Sequence, residues 1–137
     1  MIIDAQDAVL GRMATFAAQK ALRGEEVHII NCALVRISGS REVVLQKYTQ
    51  KHHRGTPMHG PYFPRQPYLI VKRTVRGMLP YKTQRGRAVF ARVRCYNAVP
   101  EILKGKAAVK GAGFKSLKAR AISVALGEIS KMLGAKW

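Results

Sequence analysis

Hydrophobic positions recur along this chain with two periods, and each change of period marks an element. Residues 1–4 (MIID) form a short apolar run that reads as a strand. Asp7 offers a helix N-cap. From Ala8 the apolar positions Val9, Leu10, Met13, Phe16 and Ala17 follow helical spacing, with Arg12, Gln19, Lys20 and Arg23 off that stripe. Gly24 stands where the chain would leave such a helix. Residues 27–30 (VHII) read as a buried strand. Strand, helix and strand in about thirty residues predict a βαβ unit, a parallel pair joined by a right-handed crossover.

Residues 35–37 (VRI) read as a short extended piece or part of a loop. Ser38, Gly39 and Ser40 precede REVVLQKYTQKHHR, which predicts a helix start with Glu42 in its first turn. The N–H groups there suit a phosphate, although plain capping is the simpler reading. Pro57, Pro61, Pro64 and Pro67, with Gly55 and Gly60, stiffen an irregular loop. Pro67 suits the first turn of the next helix and Pro80 stops it. Between them Ile70, Val71, Val75 and Met78 fall on one side of the wheel, and Lys72, Arg73 and Arg76 on the other. Lys82, Arg85 and Arg87 follow on a predicted turn containing Gly86.

Residues 88–94 then read as a short helix or turn, 93–96 as a strand and 97–100 as a turn. Residues 104–113 (KGKAAVKGAG) look flexible. A last helix is predicted at about 115–133, with Ile122, Leu126, Ile129 and Leu133 as its stripe, Lys118, Arg120, Glu128 and Lys131 off it, and Gly134 at its end. No repeat or linker divides the chain. We therefore expect a single domain over 1–137, with a basic loop-helix region at about 47–94.

Composition changes this picture through charge. The 137 residues suffice for one domain with a real core, and 47% hydrophobic residues is an ordinary folding composition. Against that stand 25 Lys plus Arg and only 7 Asp plus Glu, a net charge of +18. Residues 1–42 carry five basic and five acidic side chains, whereas residues 43–100 carry twelve basic and no acidic ones. A surface selected only for solubility would mix the signs. Such a field opposes compaction until a polyanion neutralises it, and the two candidates are nucleic acid and an anionic membrane.

The membrane reading wants a basic amphipathic helix with a broad apolar face, and the predicted last helix has a narrow one. No run approaches the roughly 18 apolar residues of a membrane span. The opening MIIDAQDAVLGR lacks a basic segment followed by a long apolar one, so we expect no signal peptide. An enzyme acting on nucleic acid, suggested by the βαβ start, would need carboxylates converging on metal ions. The basic middle has none, Asp4 and Asp7 read as a strand end and a cap, and neither GxGxxG nor GxxxxGK[ST] occurs.

Cys32 and Cys95 have no metal-ligand spacing and read as reduced structural cysteines of a cytosolic protein. His52, His53 and His59 lack the fourth ligand that zinc would need, so we expect no metal and no cofactor. Tyr62, Phe63 and Tyr68 beside them either stack on RNA bases or fix the loop to the core. Lys72, Arg73, Arg76, Lys82, Arg85 and Arg87 are the expected core RNA contacts, extended by Lys47, Lys51, His52, His53 and Arg54. Gly77 and Gly86 are expected to let backbone approach phosphate.

Several ordered blocks resemble a known family. Arg73-Thr74-Val75-Arg76-Gly77-Met78-Leu79-Pro80, followed by Lys82-Thr83 and Arg85-Gly86, is similar to the signature of the universal large-subunit ribosomal protein thirteen family, in its archaeal and eukaryotic branch. Asp4-Ala5, Val9-Leu10-Gly11-Arg12-Met13-Ala14, Ile37-Ser38-Gly39, Gly60-Pro61-Tyr62 and Val93-Arg94-Cys95-Tyr96 resemble further blocks of it. Ala98 stands where a glycine is expected, and residues 101–137 match only in being helical and basic. The resemblance implies a three-layer α/β/α fold with a mostly parallel four-stranded sheet. It also implies a non-catalytic, cytoplasmic protein of the large subunit that binds large-subunit rRNA, adjoins neighbouring ribosomal proteins and supports assembly and translation. Neither a membrane nor a small-molecule substrate is implied.

Overall fold

The computed structural model describes residues 1–56, 58–110 and 122–137. Strand β1 (Ile2–Asp4), helix α1 (Leu10–Leu22) and strand β2 (Val27–Ile30) form the expected βαβ unit. β1 and β2 are parallel, with Ile2 opposite His28 and Asp4 opposite Ile30. β4 (Val93–Cys95) adds to β2 and β5 (Val109–Lys110) to β1, both parallel, giving the order β4-β2-β1-β5. The central strands are apolar because they are covered on both faces. Ile3, Val27 and Ile29 are wholly buried. α1 packs beside α3 (Pro67–Gly77), and α4 (Gln84–Ala91) packs on β4. The result is the three-layer α/β/α arrangement around a four-stranded parallel sheet.

Four local expectations are corrected. Asp7 caps nothing: it lies at φ +56°, and α1 begins at Leu10 after Val9. The reason is a competing pairing, since Ala8 O accepts from Arg36 N (2.8 Å) and Val9 bridges to Arg36, which keeps residues 8–9 out of the helix. Asp7 instead accepts from Arg36 Nε at 3.2 Å. Ser40 precedes α2 (Arg41–His53), but its side chain makes no capping bond. Part of the stretch expected to be flexible pairs as β5, the edge strand.

The fourth concerns the C-terminal segment. Ser123–Ala125 form strand β6, antiparallel to β3 (Arg36–Ser38), and α5 starts only at Leu126 and runs to Met132. The open edge of β3 claims these residues for backbone pairing and overrides their helical spacing. Ile122 is therefore exposed, although Leu126 and Ile129 are buried as the stripe requires and Gly134 (φ +82°) follows the helix. The rest of the predicted helix, residues 115–121, lies outside the described residues.

At the C-terminal ends of the strands, buried Asp4 joins three of them. Its Oδ1 accepts from Asn31 Nδ2 (2.9 Å) and Gln6 N (3.1 Å), and its Oδ2 lies 3.9 Å from Lys110 Nζ. Cys32 and Cys95 are free and buried, and their mutual hydrogen bond followed by burial pushes the Cys32 thiol well up.

His28 on β2 stacks on Tyr96, with ring centroids 6.2 Å apart, and its buried Nδ1 has no hydrogen-bond partner. Burial first, then the terminal amine and Arg94, holds its pKa below 6.5; Glu26 opposes this and Lys106 adds to it. A depressed histidine pKa means that the unfolded chain takes the proton first. Stability therefore falls as pH drops through 6.5 and levels off below the folded-state value. The melting temperature is expected to drop on acidification, and less so in His28→Leu. Equal drops in both proteins would refute the assignment.

Candidate nucleic-acid interface

α3 begins with Pro67 in its first turn and buries Ile70, Val71 and Val75. On its outer side every cation rests on an aromatic ring. Lys72 Nζ lies 5.3 Å from the centroid of Phe90, and the guanidinium carbons of Arg73 and Arg76 lie 5.1 Å from Phe63 and 4.9 Å from Tyr81. Arg73 Nη1 also donates to Tyr62 O at 2.8 Å. The stems are held on apolar surface while the charges stay towards water, so part of the ordering cost of binding is already met.

After Leu79 and Pro80 the chain turns at once into α4. Thr83 fixes the corner: its hydroxyl donates to Pro80 O (2.8 Å) and accepts from Gly86 N (3.1 Å). Arg85 and Arg87 therefore stand on the first turns of a helix, not on the expected turn. Gly86 has a packing reason to be glycine, because a Cβ there would lie 2.0 Å from Pro80 O. This packing constraint stands beside the close approach to phosphate expected of it. Gly77 has no such reason, since a Cβ would meet nothing within 4 Å. α4 has no acid in its first turn and places Arg85 there, which disfavours an isolated helix but suits one whose N-terminus faces anions.

Lys47 lies midway along α2, Lys51, His52 and His53 lie in its last turn, and Arg54 follows it. Lys51 Nζ lies 5.4 Å from the Tyr48 ring, and Tyr48 meets Phe63 edge-on at 5.9 Å. Phe63 thus joins Tyr48 of α2 to Arg73 of α3. Burial, then the charges of Lys47, Arg73 and Arg54, lowers the Lys51 pKa. Lys51, Arg73 and Gly77 share a cleft of about 260 Å³, and Lys72, Arg73 and Arg76 share another of about 310 Å³. Lys82, Arg85 and Arg87 continue the surface beyond Tyr81.

His52 has a partner across the loop: its Nε2 accepts from Arg65 Nε at 2.8 Å, and burial, then Arg65 and His53, lowers its pKa. Arg65 was missed by sequence reasoning, although its place among prolines beside the histidines could have marked it. Of the three loop aromatics, Phe63 and Tyr68 pack against the core and Tyr62 stays exposed. Among the described residues the Lys and Arg ion pairs all lie elsewhere, on Lys20, Arg36, Arg41, Lys104 and Lys110, and no group of metal ligands gathers.

This surface lies within a stretch whose pattern is shared. Residues 1–101 match the family model described as Ribosomal protein L13. The chain belongs to this family. Large ribosomal subunit protein uL13 of Methanosarcina barkeri is 41% identical over 138 aligned residues, covering 99% of both chains. The protein of that name from Archaeoglobus fulgidus is 39% identical over 135 residues, 97% of this chain and 86% of its own. That of Methanopyrus kandleri is 46% identical over 99 residues, 72% of this chain and 62% of its own. Membership of the ribosomal protein L13 family makes the chain a ribosomal protein, not an enzyme. The first two matches also carry the likeness past residue 101, where the resemblance read from the sequence ended.

Proposed function

We propose that this chain acts as one domain in the large ribosomal subunit of the cytoplasm. There it binds large-subunit rRNA through α2, α3 and α4, adjoins other ribosomal proteins, and supports assembly and translation. The observation that carries this reading is the set of ring-supported cations on α3, continued by Lys82, Arg85 and Arg87 with no acid in residues 43–100. Neutralisation of roughly eight phosphates would give log K against log salt a slope of roughly −6 to −7. The nuclease reading finds no support at Asp4, whose carboxylate is occupied by Asn31, Gln6 and Lys110. Among the described residues no helix is long and apolar enough to cross a membrane.

The test is sedimentation of the tagged protein from lysate, with a salt series on the recovered complex. Co-migration with the large subunit through a moderate-salt wash is expected. Protein left at the top of the gradient, or attached to all RNA alike and stripped by mild salt, would defeat the proposal.

A further inference from the structure

Between the end of α2 and the Pro-rich loop lies a cleft of about 490 Å³, walled by His53, Arg54, Thr56, Pro61, Tyr62 and Arg65 among others. That volume lies within the roughly 300–1,000 Å³ range of ligand pockets. Backbone contacts fix one wall. Thr56 N donates to Gly60 O (3.2 Å) and Gly60 N to Thr56 O (2.9 Å). Gly55, at φ +96°, fits so closely that a Cβ would lie 2.0 Å from Gly60 O.

Tyr62 is held through its backbone and is largely exposed. Its carbonyl is held by Arg73, its ring lies 3.2 Å from where a Gly60 Cβ would be, and the residue is nonetheless 69% exposed. Phe63 turns the other way, onto Tyr48 and Arg73, so the two neighbouring rings have separate tasks. Arg65 is aimed by its bond to His52, and its carbonyl accepts from Ser130 Oγ at 2.6 Å. Arg54 stands exposed on the same rim, and among the described residues no carboxylate lines the cleft.

An anchored, solvent-facing ring beside two guanidinium groups matches the parts of an unstacked nucleotide, a flat base with phosphates on either side. A regular RNA duplex keeps its bases stacked and can offer the cleft only phosphates. We propose that this cleft takes one unstacked nucleotide of RNA, its base on the Tyr62 ring and its phosphates against Arg54 and Arg65. The inference rests on the RNA-binding reading and adds a demand for an unpaired base at one place on the surface.

The test uses the full chain and two probes at one ionic strength, an RNA duplex of about a dozen base pairs and the same duplex with a single bulged nucleotide. The bulged probe is expected to bind more tightly. Tyr62→Ala should remove about tenfold of affinity for it, Tyr62→Phe should retain that affinity, and the plain duplex should bind all three proteins alike. Equal losses on both probes, no loss on either, or Phe as harmful as Ala would overturn the inference. Steep salt dependence without a bulge preference would defeat this inference alone. No binding of either probe at low salt would remove the RNA-binding reading as well.

Discussion

With Lys72, Arg76, Lys82 and Arg85 all replaced by glutamine, RNA affinity is expected to fall by roughly three orders of magnitude at about 0.1 M salt. The slope of log K against log salt should lose about 3 units of magnitude, since each lost phosphate contact removes 0.7 to 0.9 of a unit. Glutamine keeps a polar head and nearly the same reach, so the change is chiefly one of charge. Lys72 and Arg76 also lose their contacts with Phe90 and Tyr81, worth about 0.5–1 kcal/mol each at exposed sites, too little to unfold the chain. Loss of like-charge repulsion acts in the opposite direction. Arg73 is left out because its bond to Tyr62 O also holds the loop. Salt titration of binding, with thermal melts as a control for folding, reads the effect. An unchanged slope would place the RNA elsewhere.

Two glycines of the basic region are expected to respond to alanine with opposite signs. In a helix that substitution ordinarily gains about 1 kcal/mol. At Gly86 the new Cβ would strike the carbonyl of Pro80, a backbone atom that cannot swing aside, and the helix gain is outweighed. A net destabilisation of about 2–4 kcal/mol is expected, with displacement of the corner that carries Lys82. At Gly77 there is open space, so Gly77→Ala should be neutral or stabilising by up to about 1 kcal/mol. If RNA backbone approaches Gly77, the same variant should bind RNA about tenfold less tightly. Urea unfolding and RNA binding, measured on both variants, separate packing from recognition. Undiminished stability of Gly86→Ala, or unchanged binding by Gly77→Ala, would each cancel the role given to that glycine.

Much of this was legible because period and punctuation agree. The two prolines around α3, the amphipathic α1 and the short apolar β1 and β2 are local signals, and local signals sufficed. The start of α4 reads as a turn in the sequence because Arg-Gly-Arg resembles loop chemistry, and only its second half reads as a short helix or turn. Only the position of the Pro80 carbonyl, fixed by Thr83, reveals why a glycine sits inside a helix there. β6 was hidden for a different reason. Its residues have helical spacing, and what makes them a strand is the edge of β3, far away in sequence. At the candidate site the basic residues were visible one by one. The rings beneath them were not assignable, because whether a ring faces RNA or the core depends on tertiary neighbours. His52 shows the same limit, since its partner Arg65 comes from across the loop.

The pairing of β3 with β6 sets an order on biosynthesis. A domain made vectorially folds from its amino end as it emerges. Ile37 nevertheless has to wait for Val124, and Leu126 N completes the ladder by donating to Val35 O at 2.8 Å. Until the last segment is available, β3 presents an unpaired edge of the kind other chains can add to. Strands β1, β2 and β4 all lie before residue 96 and can pair earlier, whereas β5 and the buried Val124, Leu126 and Ile129 complete the sheet and the core afterwards. β6 therefore seals, late in synthesis, an edge that β3 exposes many residues earlier.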